Sequence, residues 1–160
     1  MPEAHAGMRR AWPWFAAALA VVLADQASKW LVQASLAPGE RVALAPFLDL
    51  VLVFNKGAAF SFLADAPGWQ RPFFIGIAAV AAVMVSTMLV REPEKRLLCA
   101  GLALILGGAL GNVWDRIAYG HVVDFVLLHA GGWHWPAFNV ADSAISVGAG
   151  IVIVDSLVQR

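Results

Sequence analysis

Four stretches of this chain stay apolar long enough to cross a bilayer: residues 12–32, 72–90, 97–114 and 137–158. Each is close to the ~20 residues a helix needs to span the hydrocarbon. The second and third carry no charge, whereas the first holds Asp25 and Lys29 near its end and the fourth holds Asp142 near its start. Arg9-Arg10 followed by Ala18-Leu19-Ala20 has the outline of a cleavable leader. The apolar pattern nevertheless continues through Val21 to Ala24 and resumes at Trp30-Leu31-Val32, so an uncleaved first helix is expected. Between the spans, residues 41–54, 122–129 and 133–138 are rich in valine, leucine and aromatic residues and are punctuated by Pro46 and Gly131-Gly132. These runs predict a small β-element beside the helices.

Composition supports this reading. With 61% hydrophobic and 14% charged residues over 160 positions, the chain lies outside the balance of a soluble domain. Four spans and their connections use most of that length, so one polytopic membrane domain over residues 1–160 is expected. Formal net charge is zero and the charges are scattered singly, which leaves no basic stripe for a nucleic-acid backbone. Cys99 sits alone in an apolar run, where it behaves as a small apolar residue. Trp69, Trp133 and Trp135 suit anchoring at the membrane interface.

Lysine and arginine mark cytoplasmic segments. Arg9 and Arg10 precede the first span, and Arg91, Lys95 and Arg96 lie in the tight second connection. Both termini are therefore expected in the cytoplasm, with residues 33–71 and 116–136 outside. Arg41, Lys56, Arg71 and Arg116 fall on that outer side and weaken the bias.

Ionisable groups inside a span are costly and face a partner or a cavity. Asp25 and Lys29 stand four apart on one helical face, as an ion pair would. Asn112, Asp115 and Arg116 share a face of the third span, and Asn139 and Asp142 are spaced by three at the start of the fourth. In the expected topology all of them reach the same depth near the outer surface. Asp124 joins them from the following connection, in His121-Val122-Val123-Asp124-Phe125-Val126, where no cation adjoins it. Two carboxyls in such surroundings can share one proton: the ionised one activates a water and the protonated one donates to a peptide carbonyl. Pairing with Arg116 would keep Asp115 ionised and give it a supporting role, although the pair Asp115 with Asp142 stays open on these grounds.

Other chemistries find less support. His5, His121, His129 and His134 form no metal-type pair on a predicted helix, and neither metal nor cofactor is expected. Ser61, Ser143 and Ser146 lack a nucleophile motif, and Gly107-Gly108 with Gly111 reads as close helix packing. An ion-coupled carrier would use the same buried acids, yet no paired repeat is visible. A noncatalytic scaffold would leave the isolation of Asp124 unexplained.

Five segments, taken in order, resemble the sequence blocks of bacterial lipoprotein signal peptidase, the signal peptidase II family. They are Asp25-Gln26-Ala27-Ser28-Lys29, Asn55 to Ser61, Gly111-Asn112-Val113-Trp114-Asp115-Arg116, Val122-Val123-Asp124-Phe125 and Phe138 to Ser143. The resemblance implies a four-transmembrane-helix bundle of the inner membrane with a small periplasmic β-cradle. It implies an aspartyl endopeptidase that cleaves prolipoproteins just before a diacylglyceryl-modified cysteine, with membrane lipid around it and globomycin as inhibitor. Its catalytic aspartates match Asp124 and Asp142, and its supporting residues match Asp25, Lys29, Asn55, Asn112, Asp115, Arg116 and Asn139. Asn139 and Asn112 are expected to orient the carboxyls, Asn55 and Arg116 to bind substrate backbone or steady the outer loop, and Phe60 to shape the groove.

Overall fold

A computed structural model describes residues 2–57 and 68–158 of the chain, with side chains from Gly7 onward. The element order is α1 (Pro2–Ser35), β1 (Arg41–Ala45), β2 (Leu48–Asn55), α2 (Gln70–Arg91), α3 (Arg96–Ala118), β3 (Val122–Ala130), β4 (Trp133–His134) and α4 (Val140–Val158). All four helices are long and apolar enough to cross a membrane. The bundle with a small antiparallel sheet is the fold class the sequence predicts.

Helix α3 is the central member. Over half of its most apolar window is buried, against about a sixth or less for each of the others, so those three turn most of their apolar surface away from the bundle. Glycines let the neighbours approach. A Cβ on Gly108 would collide with the Ala141 carbonyl of α4, and one on Gly111 would lie 2.6 Å from Asp25 Oδ2 of α1. Leu98, Cys99, Leu102 and Leu106 of α3 pack with Ala18, Val85 and Leu89 into the apolar core. At one end Arg10 pairs with Glu94 and Trp14 Nε1 donates to the Pro93 carbonyl, which clasps the turn between α2 and α3 against α1.

The sheet, ordered β1-β2-β3-β4, stands at the opposite end. One face, with Leu52, Val123 and Phe125, closes over Val32 of α1. Asp49 of the inner strand β2 is buried and ion-paired with Arg41 of β1, and its Oδ2 lies 3.2 Å from His129 Nε2 of β3. Burial works to raise the Asp49 pKa, but these two partners hold it below the ordinary carboxylate value. The last expected β-run shrinks to Trp133–His134, because Phe138 instead bridges to Val126. For the same reason α4 starts at Val140 and not at residue 137: Phe138 belongs to the sheet edge and Asn139 caps the helix. Trp133 and Trp135 expose adjacent rings beside that edge.

Candidate active site

The site is built on buried charge. Lys29 Nζ, almost fully enclosed, directs its three hydrogens to Asp25 Oδ2 at 2.7 Å, Asp115 Oδ2 at 2.7 Å and Asn112 Oδ1 at 3.0 Å. An ammonium with three donors and three acceptors is fully satisfied. Asp25 reaches further, accepting from the Ala141 N–H of α4 at 2.9 Å, and Asp115 accepts from the Val123 N–H of β3 at 3.2 Å. One lysine thus joins α1 and α3, and its two carboxylates carry the connection to α4 and the sheet.

This corrects one expectation. Asp115 is neutralised by Lys29 and not by Arg116, since successive helical residues point apart. Arg116 instead donates to the Gly57 carbonyl at 2.9 Å and the Asn112 carbonyl at 3.2 Å, and its guanidinium lies 5.2 Å from the centre of the Phe74 ring.

Above this base stand Asp124 and Asp142, which line the same cavity of about 570 Å³. Asp124 arrives on β3 and Asp142 in the first turn of α4. Asn139 holds both. Its Oδ1 accepts from the Asp142 N–H at 2.9 Å while Asp142 Oδ2 accepts from the Asn139 N–H at 3.3 Å, a reciprocal helix cap. The Asn139 amide Nδ2 then donates to Asp124 Oδ1 at 2.8 Å. Asn112 Nδ2 donates to Asp142 Oδ1 at 2.8 Å, and Asn55 Nδ2 to Asp124 Oδ2 at 3.0 Å. Each carboxyl therefore keeps its position through amide donors.

The electrostatics of Asp124 follow from this placement. Burial pushes its carboxyl up to about 7, and the charge on Asp142 adds to the rise. The amides of Asn55 and Asn139 and the charge of Lys29 work the other way without restoring the ordinary value. Asp115, by contrast, does not line the cavity and is ion-paired and hydrogen-bonded to neighbouring elements. Asp124 and Asp142 thus line one cavity that Asp115 does not reach.

All nine residues singled out from the sequence converge on this end of the bundle: Asp25, Lys29, Asn55, Asn112, Asp115, Arg116, Asp124, Asn139 and Asp142. Gln26 was missed. Its Nε2 donates to Asp115 Oδ1 at 2.8 Å, to Asp25 Oδ2 at 3.1 Å and to the Gly111 carbonyl at 3.3 Å. An amide beside Asp25 inside an apolar span was the signal that could have found it. Phe60 and Ser61 lie outside the described residues. Among the described residues, no three His, Cys, Asp or Glu side chains are arranged to hold a metal ion.

A family model described as signal peptidase (SPase) II matches residues 17–158. Lipoprotein signal peptidases of Paraburkholderia phymatum and Cupriavidus taiwanensis are 52% and 55% identical over 145 and 144 residues. They cover 91% and 90% of this chain and 87% and 82% of their own lengths. Two solved structures, described as bacterial membrane enzymes determined by the in meso method at 2.3 and 1.9 Å resolution, match with TM-scores of 0.82 and 0.81. Their identities are 28% and 26%, and each match covers 91% of this chain, with 87% and 92% of the other.

Proposed function

Because the chain belongs to the signal peptidase II family, a membrane protease that removes signal peptides from prolipoproteins, we propose that Asp124 and Asp142 are its catalytic pair. The observation that supports this is the shared cavity, in which two carboxyls are held by amides and, among the described residues, Asp124 bears no directly bonded cation. Asp124, raised to about 7, carries the proton of the pair below that pH. Asp142 stands ionised in the first turn of α4, where the positive end of a helix favours an anion.

A water between them gives a proton to Asp142 and attacks the carbonyl preceding the diacylglyceryl-modified cysteine. Asp124 donates its proton to that carbonyl oxygen. The tetrahedral intermediate then collapses: the hydroxyl proton returns to Asp124, the C–N bond breaks, and Asp142 protonates the leaving amine. Asn139 and Asn112 hold the two carboxyls in line throughout. Asn55 limits the freedom of Asp124, and Arg116 steadies the segment after β2 through the Gly57 carbonyl.

The signal peptide lies along the larger cavity against Ile145, Ser146 and Val147 of α4, and the acyl chains of the substrate stay in membrane lipid. Globomycin, a cyclic peptide, inhibits by filling that cavity. The multi-pass bacterial membrane protein has both termini in the cytoplasm and its active site on the periplasmic face of the inner membrane. Arg10, Arg91, Lys95 and Arg96 gather at the end remote from Asp124, which supports that orientation. The test is cleavage of a purified diacylglyceryl-modified precursor. Turnover of the lipidated form that globomycin blocks, with none of the unlipidated form, is the expected result; equal cleavage of both forms would contradict the reading.

A further inference from the structure

We propose that Lys29 is a positioning residue that decides which carboxyl of the pair works as the base: acting through the Asn112 amide, it reserves the negative charge for Asp142 and leaves the proton to Asp124. This assignment rests on the peptidase reading above.

Each amide around the pair has its orientation forced from outside. Lys29 Nζ can only donate, and at 3.0 Å from Asn112 Oδ1 it fixes that end of the amide as the acceptor. Asn139 Nδ2 donates to the same oxygen at 3.1 Å. The Asn112 nitrogen is therefore the end turned to Asp142, and it donates to Oδ1 at 2.8 Å. Asn139 is turned by the Asp142 N–H, which donates to its Oδ1 at 2.9 Å, so its nitrogen faces Asp124. Asn55 is turned by the Gly57 N–H, which donates to its Oδ1 at 2.9 Å, and its nitrogen also faces Asp124.

The two carboxyls thus differ in what stands behind their amides. Behind Asn112 is an ammonium; behind Asn55 and Asn139 are neutral peptide N–H groups. An amide whose oxygen accepts from a cation donates more strongly at its nitrogen, because successive hydrogen bonds polarise one another. The stronger donor favours the charged form of the carboxyl that receives it. Among the described residues, the charged groups acting on the pair are Lys29 and Asp25 of α1 and Arg116 of α3, and Lys29 and Arg116 act on both carboxyls through space. Asp25 is a like charge for Asp142, but its own pairing with Lys29 limits that repulsion. The amide link is what sets Asp142 apart. Two carboxylates already exceed the charge of one ammonium, so neutralising Lys29 does not require its third contact; that contact acts on Asn112.

The experiment uses the full-length protein in lipid nanodiscs and follows single-turnover cleavage of a diacylglyceryl-modified precursor across pH. Lys29→Gln combined with Asp115→Asn keeps a donor beside Asn112 and keeps the net charge of the base: one ammonium with two carboxylates gives −1, and one carboxylate with two amides also gives −1. The cation behind Asn112 is what is lost. The acid limb of the profile, set by the charge on Asp142, should move up by about one pH unit and by more than the alkaline limb set by Asp124. Asn112→Leu breaks the link with Lys29 in place; it should give the same unequal displacement and serves where the double variant does not fold. Carbon-13 carboxyl signals, assigned with Asp124→Asn and Asp142→Asn, need no turnover. At about pH 6 they should show the proton on Asp124 in the unaltered protein and divided between the two carboxyls in the variants. Limbs that stay in place or move together, or a proton held on Asp124 to the same degree in every protein, would overturn the role of Lys29 while leaving the peptidase reading intact. No cleavage by the unaltered protein at any pH would overturn both.

Discussion

A carboxyl titrates near neutrality when it loses water without gaining a directly bonded cation, and among the described residues Asp124 meets both conditions. Raised to about 7 from an ordinary value of 3.8, it should set the alkaline limb of the pH profile. Cleavage should decline above about pH 7 as the proton that Asp124 donates is lost, measured as kcat/KM across pH. Stability carries the same signature. A raised folded-state pKa means that the native protein binds more protons than the unfolded chain between about pH 4 and pH 7, so stability from this group falls across that window. Asp124→Asn removes the dependence: its melting temperature in detergent should match the unaltered protein near pH 4 and exceed it at pH 8. Lys29 acts in the opposite sense. Lys29→Met strands Asp25 and Asp115 in the interior and should destabilise by about 3–5 kcal/mol. Adding Asp25→Asn and Asp115→Asn should recover most of that loss in the same melting assay.

At the scale of elements, close contact with α3 aligns the groups, and the glycines that permit it make a further prediction. Gly111→Ala places a methyl against the Asp25 carboxylate, at 2.6 Å before relaxation, and should destabilise the protein by roughly 1–3 kcal/mol. It should also lower activity, because Asp25 anchors the start of α4 through the Ala141 N–H. The sequence made much of this visible. Apolar runs marked the helices, and polar residues at spacings of three and four marked the faces that meet. It did not show how Asp115 is neutralised, since Lys29 comes from another helix and only packing brings the two together. Nor did it show the end of the last strand: Phe138 read as part of the fourth span because an apolar residue serves equally well at a sheet edge. Asp49 escaped notice because its partners Arg41 and His129 lie on flanking strands, a pairing fixed by register and not by local spacing.

For the molecule as a whole, a lysine-linked base within the bundle and a sheet over one end gather the proposed reaction at that end of the helices. The acids are few but densely connected, so the site depends on every helix that contributes to it and is expected to unfold with the bundle as one unit. The proposed orientation makes an external prediction: a cysteine introduced at Gly39, in the β1 approach, should react with a membrane-impermeant maleimide in intact cells once the outer membrane is permeabilised. One introduced at Glu94 should react only after the inner membrane is broken. The reverse pattern would invert the topology.

The central claim is that Asp124 and Asp142 work as a pair on one water. Its most direct test is single-turnover cleavage of a diacylglyceryl-modified precursor by Asp124→Asn and by Asp142→Asn, each first shown to be folded and inserted. Both should lose at least ~100-fold in rate, as expected for removal of a positioned acid or base. A rate near that of the unaltered protein in either variant would contradict the account.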